Sequence, residues 1–174
     1  MRHTNWYVIT GAPCSGKTSV ICELERKGYS VVHETARAFI DEELKKGHTI
    51  EQIKSDELTF ERHILYTKIK IEQSLCNKEV IFLDRAVPDS IAYFKSAKLN
   101  PNEPISKSGL VRYKKIFLFE RLEFEKDRVR SEDQAKAAEL ELLLENAYQS
   151  LGYHTIRVPA YSVQKRLDFI LRHL

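Results

Sequence analysis

The stretch WYVITGAPCSGKTS, residues 6–19, decides how this chain folds. Trp6 to Thr10 are aromatic, aliphatic or β-branched throughout, the composition of a strand buried on both faces. Gly11 to Thr18 then satisfy the pattern Gly-x-x-x-x-Gly-Lys-Ser/Thr, and the following SVICELERKG has helical composition. In a strand–loop–helix setting this pattern has a mechanism. Gly11 and Gly16 let the backbone of Ala12, Pro13, Cys14 and Ser15 turn tightly enough for successive N–H groups to face phosphate oxygens. A helix starting near Lys17 adds the positive end of its dipole. Lys17 is a point charge for the β and γ phosphates, the Thr18 hydroxyl is placed to ligate Mg²⁺, and Ser19 completes the run. The expected ligand is ATP, with GTP possible, together with Mg²⁺.

Working outward, four more short apolar runs predict strands at Tyr29–Val32, Val80–Leu83, Ile116–Phe119 and Tyr153–Val158. Amphipathic segments separate them. Leu140, Leu143, Leu144, Ala147, Tyr148 and Leu151 recur at helical spacing until Gly152 stops the pattern. Val163, Leu167, Ile170, Leu171 and Leu174 predict a last helix, with Lys165, Arg166 and Arg172 on its polar face. Between Glu51 and Cys76 the periodicity predicts a helix broken near Ser55 or Asp56, whereas Pro101, Pro104 and the serines of Asn100–Gly109 read as a loop excursion. Such alternation predicts an α/β three-layer sandwich, about five parallel strands with helices on both faces.

The 174 residues, 43% of them hydrophobic, suit one domain over 1–174. A net charge of +3 is too small to imply nucleic acid. No run is long and apolar enough to span a membrane, and MRHTNWYVIT is unlike a signal peptide, so a cytoplasmic protein is expected. Cys14, Cys22 and Cys76 form neither a CxxC pair nor a zinc-like cluster.

Residues at the carboxyl ends of the strands complete the candidate site. Asp84, after VIFL, is placed to hold Mg²⁺, and Arg85 beside it to bind a phosphate or an acceptor, with Asp89 one turn later. Glu34, after the second strand, is a candidate general base for an acceptor hydroxyl, with Arg37 one turn on. Arg128 and Arg130, in the charge-dense FERLEFEKDRVRSED, are placed to close over the phosphates, and Arg121 is a weaker candidate. Pro159, with Ala160 and Tyr161, offers backbone polar groups and an apolar wall for a base.

With GAPCSGKTS, HETAR, LDRAVPD, KDRVRSED, LGY and VPAYSVQKR in that order, nearly the whole chain resembles the AAA-domain P-loop predicted ATPases. That group is similar to the ribosylnicotinamide kinase domain of the bacterial NAD-biosynthesis regulator NadR and, more distantly, to nucleoside and nucleotide kinases. The resemblance implies a sheet ordered 2-3-1-4-5. It also implies that an acidic residue after the second strand and an acidic-Arg pair after the third approach the acceptor; Glu34, Asp84 and Arg85 match these positions. The helical C-terminal domain and second-sensor arginine of ring-forming AAA motors have no counterpart in the sequence, which argues against a hexameric motor. Asn77-Lys78-Glu79 lacks the aspartate of the guanine signature, which argues against a Ras-like switch. The implied activity is an ATP-dependent phosphotransferase with a small-molecule acceptor, with two alternatives: a nucleotide-gated regulatory protein that works through a protein partner, and a hydrolase of triphosphate compounds.

Overall fold

A computed structural model describes the backbone of residues 1–122 and 131–174, and the side chains of all of these except 131–134. Five strands form a parallel sheet: β2 (Trp6–Thr10), β3 (Ser30–Val32), β4 (Ile81–Asp84), β6 (Lys115–Phe119) and β7 (Thr155–Val158). Their order is β3-β4-β2-β6-β7, which is the 2-3-1-4-5 arrangement. Two further strands, β1 (Arg2–His3) and β5 (Val111–Arg112), pair in parallel as a separate two-residue ribbon. Strands this short carry no periodic signal, and the sequence gives no sign of them.

Burial on both faces holds only for the three inner strands. β2 and β4 are buried along their whole length and β6 from Ile116 onward, whereas the edge strands β3 and β7 are partly exposed. Alternation along β2 divides the core. Tyr7 and Ile9 point to the face covered by α1 (Lys17–Arg26) and α8 (Val163–Leu171), packing on Val20, Ile21, Leu24, Leu167 and Ile170. Trp6 and Val8 point to the opposite face, where Ile81, Leu83, Ile116 and Tyr148 join them. Tyr148 belongs to α7 (Ser131–Ser150), which ends just before Gly152, the predicted stop, whose φ of +75° accommodates the reversal.

The break predicted near Ser55 or Asp56 separates two helices. α3 (Ile50–Ile53) starts in a capping box between Thr49 and Gln52, and α4 (Glu57–Ser74) starts at Asp56, whose carboxylate accepts from Thr59 N–H. The loop expected at Asn100–Gly109 is instead a helix, α6 (Asn102–Ser108). Pro101 precedes it and Pro104 sits in its first turn, where no backbone donor is needed, so the prolines start the helix rather than break it. The remaining helices, α2 (Thr35–Lys45) and α5 (Asp89–Ser96), follow β3 and β4 directly. No helix among the described residues is long and apolar enough to cross a membrane.

Helix α4 is fastened to the sheet by a buried carboxyl group. Glu72 accepts from Val87 N–H at 3.1 Å and from the Tyr113 hydroxyl on both oxygens, at 3.0 and 2.9 Å. Burial pushes its pKa up to about 7, against those hydrogen bonds and the charges of Lys68 and Arg2. A folded value above the unfolded 4.5 means that the native state holds an extra proton between these limits, so Glu72 lowers stability as pH rises through that window. Relative to wild type, Glu72→Gln is expected to gain on the order of 3 kcal/mol between about pH 4.5 and 7. Denaturant titrations of both proteins at several pH values measure this, and a pH-independent difference would contradict it.

Candidate active site

Because the five strands are parallel, the segments that follow β2, β3, β4, β6 and β7 meet at one edge of the sheet. The loop from Gly11 to Gly16 leaves β2 between the ends of β4 and β6. Gly11 has φ +143°, and a Cβ there would lie 2.7 Å from the Phe119 carbonyl oxygen, so only glycine fits. Gly16, at φ +80°, occupies the N-cap position of α1, and Cys14 is also left-handed at φ 59°. Pro13 and Cys14 are exposed on the loop, as are Thr18 and Ser19 in the first turn of α1.

Lys17 does not reach outward. It folds back across the loop, its ammonium donating to Ala12 O at 2.8 Å and Ser15 Oγ at 3.1 Å. Burial, helped by the positive charge of Arg85, lowers its pKa to about 8. Asp84, at the end of β4 and in register with Ile9, is 2% exposed, and its Oδ1 is buried without a hydrogen-bond partner. Burial raises its pKa to about 6, against Arg85 and Lys17.

Arg85 joins the parts. Its φ of +68° turns the side chain back over the sheet edge, where Nε donates to Glu34 Oε1 at 3.0 Å and Nη1 to Gly11 O at 3.0 Å. Nη1 also lies 3.5 Å from Asp89 Oδ1, and the guanidinium stacks on Tyr93. Burial opposes its charge, but Tyr93, Glu34 and Asp89 outweigh that, and its pKa is raised. Glu34, at the N-cap of α2, is held below the usual carboxylate range; desolvation works the other way, and Arg85, Lys17 and Lys68 overcome it. Asp89, fully buried, accepts from Thr10 Oγ1 at 2.6 Å, from Ala86 N–H at 3.0 Å and from the Tyr148 hydroxyl.

A cavity of about 510 Å³ opens beside the loop, walled by Pro13, Glu34 and Arg85 and by side chains of α2, α4 and α5. Arg37 lines it, while Glu34 pairs with Arg85. Another cavity, of about 540 Å³, lies at the opposite end of the sheet among His3, Asn77 and Lys78.

Arg166 corrects the sequence reading. Expected on a polar face, it is 1% exposed and lies against the loop: Nη1 donates to Ser15 O, Nε donates to Pro159 O at 3.0 Å, and the guanidinium covers Phe119. The first turn of α8 faces the loop rather than solvent, so two backbone carbonyls and a ring meet the guanidinium, while Nη2 is buried without a hydrogen-bond partner among the described residues. Pro159 thus stands at the loop edge, as expected, but its carbonyl is engaged. Arg121 pairs with Glu141 of α7. Arg128 and Arg130 lie outside the described residues.

A family model described as an AAA domain matches residues 6–166, from the first residue of β2 to Arg166. The chain belongs to this AAA domain family. Among solved structures, this AAA domain is similar to deoxyadenosine kinase from M. mycoides, with 17% identity, a TM-score of 0.66 and 97% of each chain covered. It is also similar to thymidylate kinase from Ehrlichia chaffeensis, at 13% identity and a TM-score of 0.65 over 98% of each chain. NadR in complex with NAD and AMP-PNP gives 16% identity and 0.65, over 97% of this chain and 49% of that one. At these identities the likeness is one of fold. A search of curated protein sequences finds no match.

In this AAA domain Arg166 fastens the loop to the segment after β7 through two carbonyls, each met by a different nitrogen of its planar guanidinium. Arg166→Lys is expected to cost about 1–3 kcal/mol, from a buried charge left short of partners. Thermal or denaturant unfolding measures it, and wild-type stability would show that the bridge is dispensable.

Proposed function

We propose that this AAA domain is a phosphotransferase that passes the terminal phosphoryl group of Mg-ATP to a small acceptor bound in the cavity beside the loop. The observation that carries this reading is the shared wall: Pro13 of the loop, Glu34 and Arg85 all line the cavity. A molecule held there meets the end of a triphosphate held by the loop, as in-line transfer requires.

The geometry of the described residues supports the following roles. Gly11 to Ser19 supply N–H groups to the phosphates, and Lys17 exchanges its contacts with Ala12 and Ser15 for phosphate oxygens. Thr18 and Asp84 would hold Mg²⁺, which neutralises charge on the transferring phosphates. The buried, unpartnered Asp84 Oδ1 and the exposed Thr18 fit that use. Among the described residues no group of three or more His, Cys, Asp or Glu forms a ready-made cage, which suits an ion that keeps waters and shares the substrate's phosphates. Glu34, ionised, takes the proton of the acceptor hydroxyl as its oxygen bonds to the γ-phosphorus and the bond to the β–γ bridging oxygen breaks. Arg85 stabilises charge beside it, the loop at Pro159 is assigned to the nucleotide base, and Arg128 and Arg130, outside the described residues, are assigned to the phosphates on their sequence motif alone.

Lys17→Ala is expected to lower ATP turnover by about 10²–10³-fold while the protein still folds cooperatively. Unchanged turnover would remove the loop from the reaction. Glu34→Gln is expected to keep Mg-ATP affinity within about threefold and to lose about 10²–10⁴-fold in transfer, since Gln still accepts from Arg85 but takes no proton. Incubation with Mg-ATP or Mg-GTP and a panel of nucleosides, nicotinamide riboside and vitamin phosphates, followed by mass spectrometry, tests the reading as a whole. ATP consumption without a phosphorylated acceptor would favour a hydrolase instead.

A further inference from the structure

Arg166 is buried in a way that packing alone does not call for. Nη1 donates to Ser15 O and Nε to Pro159 O, yet Nη2 is buried with no hydrogen-bond partner among the described residues. A guanidinium with a nitrogen left over costs stability, and an apolar side chain of similar length would carry no such cost. Departures of this kind from the rules of a well-packed core collect at sites kept for function.

What Arg166 holds is one peptide of the phosphate loop. No peptide bond among the described residues is cis, so the N–H of Gly16 points opposite to the Ser15 carbonyl across the shared amide plane. With that carbonyl drawn toward α8, the Gly16 N–H is turned away from α8. Among the described residues this N–H makes no hydrogen bond, so it is free for a ligand. A charged donor on the carbonyl also polarises the amide and strengthens its N–H as a donor. The approach is close: a Cβ on Gly16 would lie 3.0 Å from Arg166 Nη1, so this glycine answers both to its φ of +80° and to the guanidinium beside it. At the other end of the loop Arg85 grips the Gly11 carbonyl in the same manner.

We propose that Arg166 is a positioning residue for the phosphates of the nucleotide: by holding the Ser15 carbonyl it aims the Gly16 N–H at them, without touching the nucleotide itself. This rests on the reading above that the loop holds a triphosphate, and adds a residue that acts on it through the backbone.

Inorganic tripolyphosphate with Mg²⁺ is the probe, because it has phosphates but no base to feel the Pro159 carbonyl. By calorimetry, folded Arg166→Met is expected to bind it about tenfold or more weakly than wild type, the effect of one charge-assisted hydrogen bond. Arg166→Lys, which keeps a charge and a donor, is expected to recover part of that loss. Labelling with ¹⁵N-glycine leaves six amides to follow. In wild type the Gly16 amide proton is expected to move downfield as tripolyphosphate is added, and in Arg166→Lys to move less. A purely structural Arg166 would lower the melting temperature and leave this response intact, which overturns the proposal. If Arg166→Met does not fold, the wild-type and Arg166→Lys titrations decide: a Gly16 amide that stays silent while tripolyphosphate binds overturns it. Wild-type tripolyphosphate affinity in folded Arg166→Met also overturns it and leaves the phosphotransferase reading standing, whether or not Mg-ATP affinity is lost through the Pro159 contact. Weakened tripolyphosphate binding in a protein that phosphorylates no acceptor supports the role of Arg166 and removes the phosphotransferase reading. A wild type that binds neither tripolyphosphate nor Mg-ATP overturns both.

Discussion

The carboxyl edge of the sheet is organised around the buried carboxylate of Asp89. It receives the hydroxyl at the end of β2, the backbone N–H that turns the chain out of β4, the Tyr148 hydroxyl from α7, and one arm of Arg85. The donors come from β2, the turn after β4 and α7, so the acceptor fixes the relative positions of these three parts. Without it, several buried donors would lack partners, and each such loss costs more than an ordinary hydrogen bond contributes. Arg85 passes the constraint on, to the carbonyl of Gly11 and the carboxylate of Glu34. The left-handed backbone of Arg85 is strained for a residue with a side chain, and it persists because these contacts over-determine it.

One consequence is that the loop after β2 and the cavity under α4 are not independent. They share Arg85 and Glu34 as a common wall, and Glu72 pins the far end of α4 to the turn that carries Arg85. The distance between anything held by the loop and anything held in the cavity is therefore set by buried hydrogen bonds rather than by flexible chain. The second fastening comes from the other side, where Arg166 ties Ser15 to Pro159.

How much of this was legible in the sequence depends on what each signal measures. The inner strands β2, β4 and β6 are buried along nearly their whole length, so their apolar runs were unmistakable; the edge strands were found with looser ends, because Ser30 and Arg157 face outward. The position of the loop motif, Glu34 and the Asp84–Arg85 pair at the sheet edge was legible because they follow strands. α6 was hidden by prolines that act differently in a first turn than in an interior. Arg166, Glu61 and Lys68 were hidden for a deeper reason: hydropathy treats a charged residue on a helix as solvent-facing. Only the packing of α8 and α4 shows that their charges are buried, two of them along a cavity. Tyr148 read as a plain core residue, while its hydroxyl serves Asp89, and Tyr113, whose hydroxyl serves Glu72, carried no signal.

The posture of Lys17 has a thermodynamic consequence. With its ammonium on Ala12 O and Ser15 Oγ, Lys17 is satisfied within the loop, so an anion that binds there replaces existing hydrogen bonds instead of adding to a bare charge. Association at this loop is then close to an exchange reaction in enthalpy. Affinity must come from contacts that have no internal substitute, and anions small enough to touch only Lys17 are discriminated against.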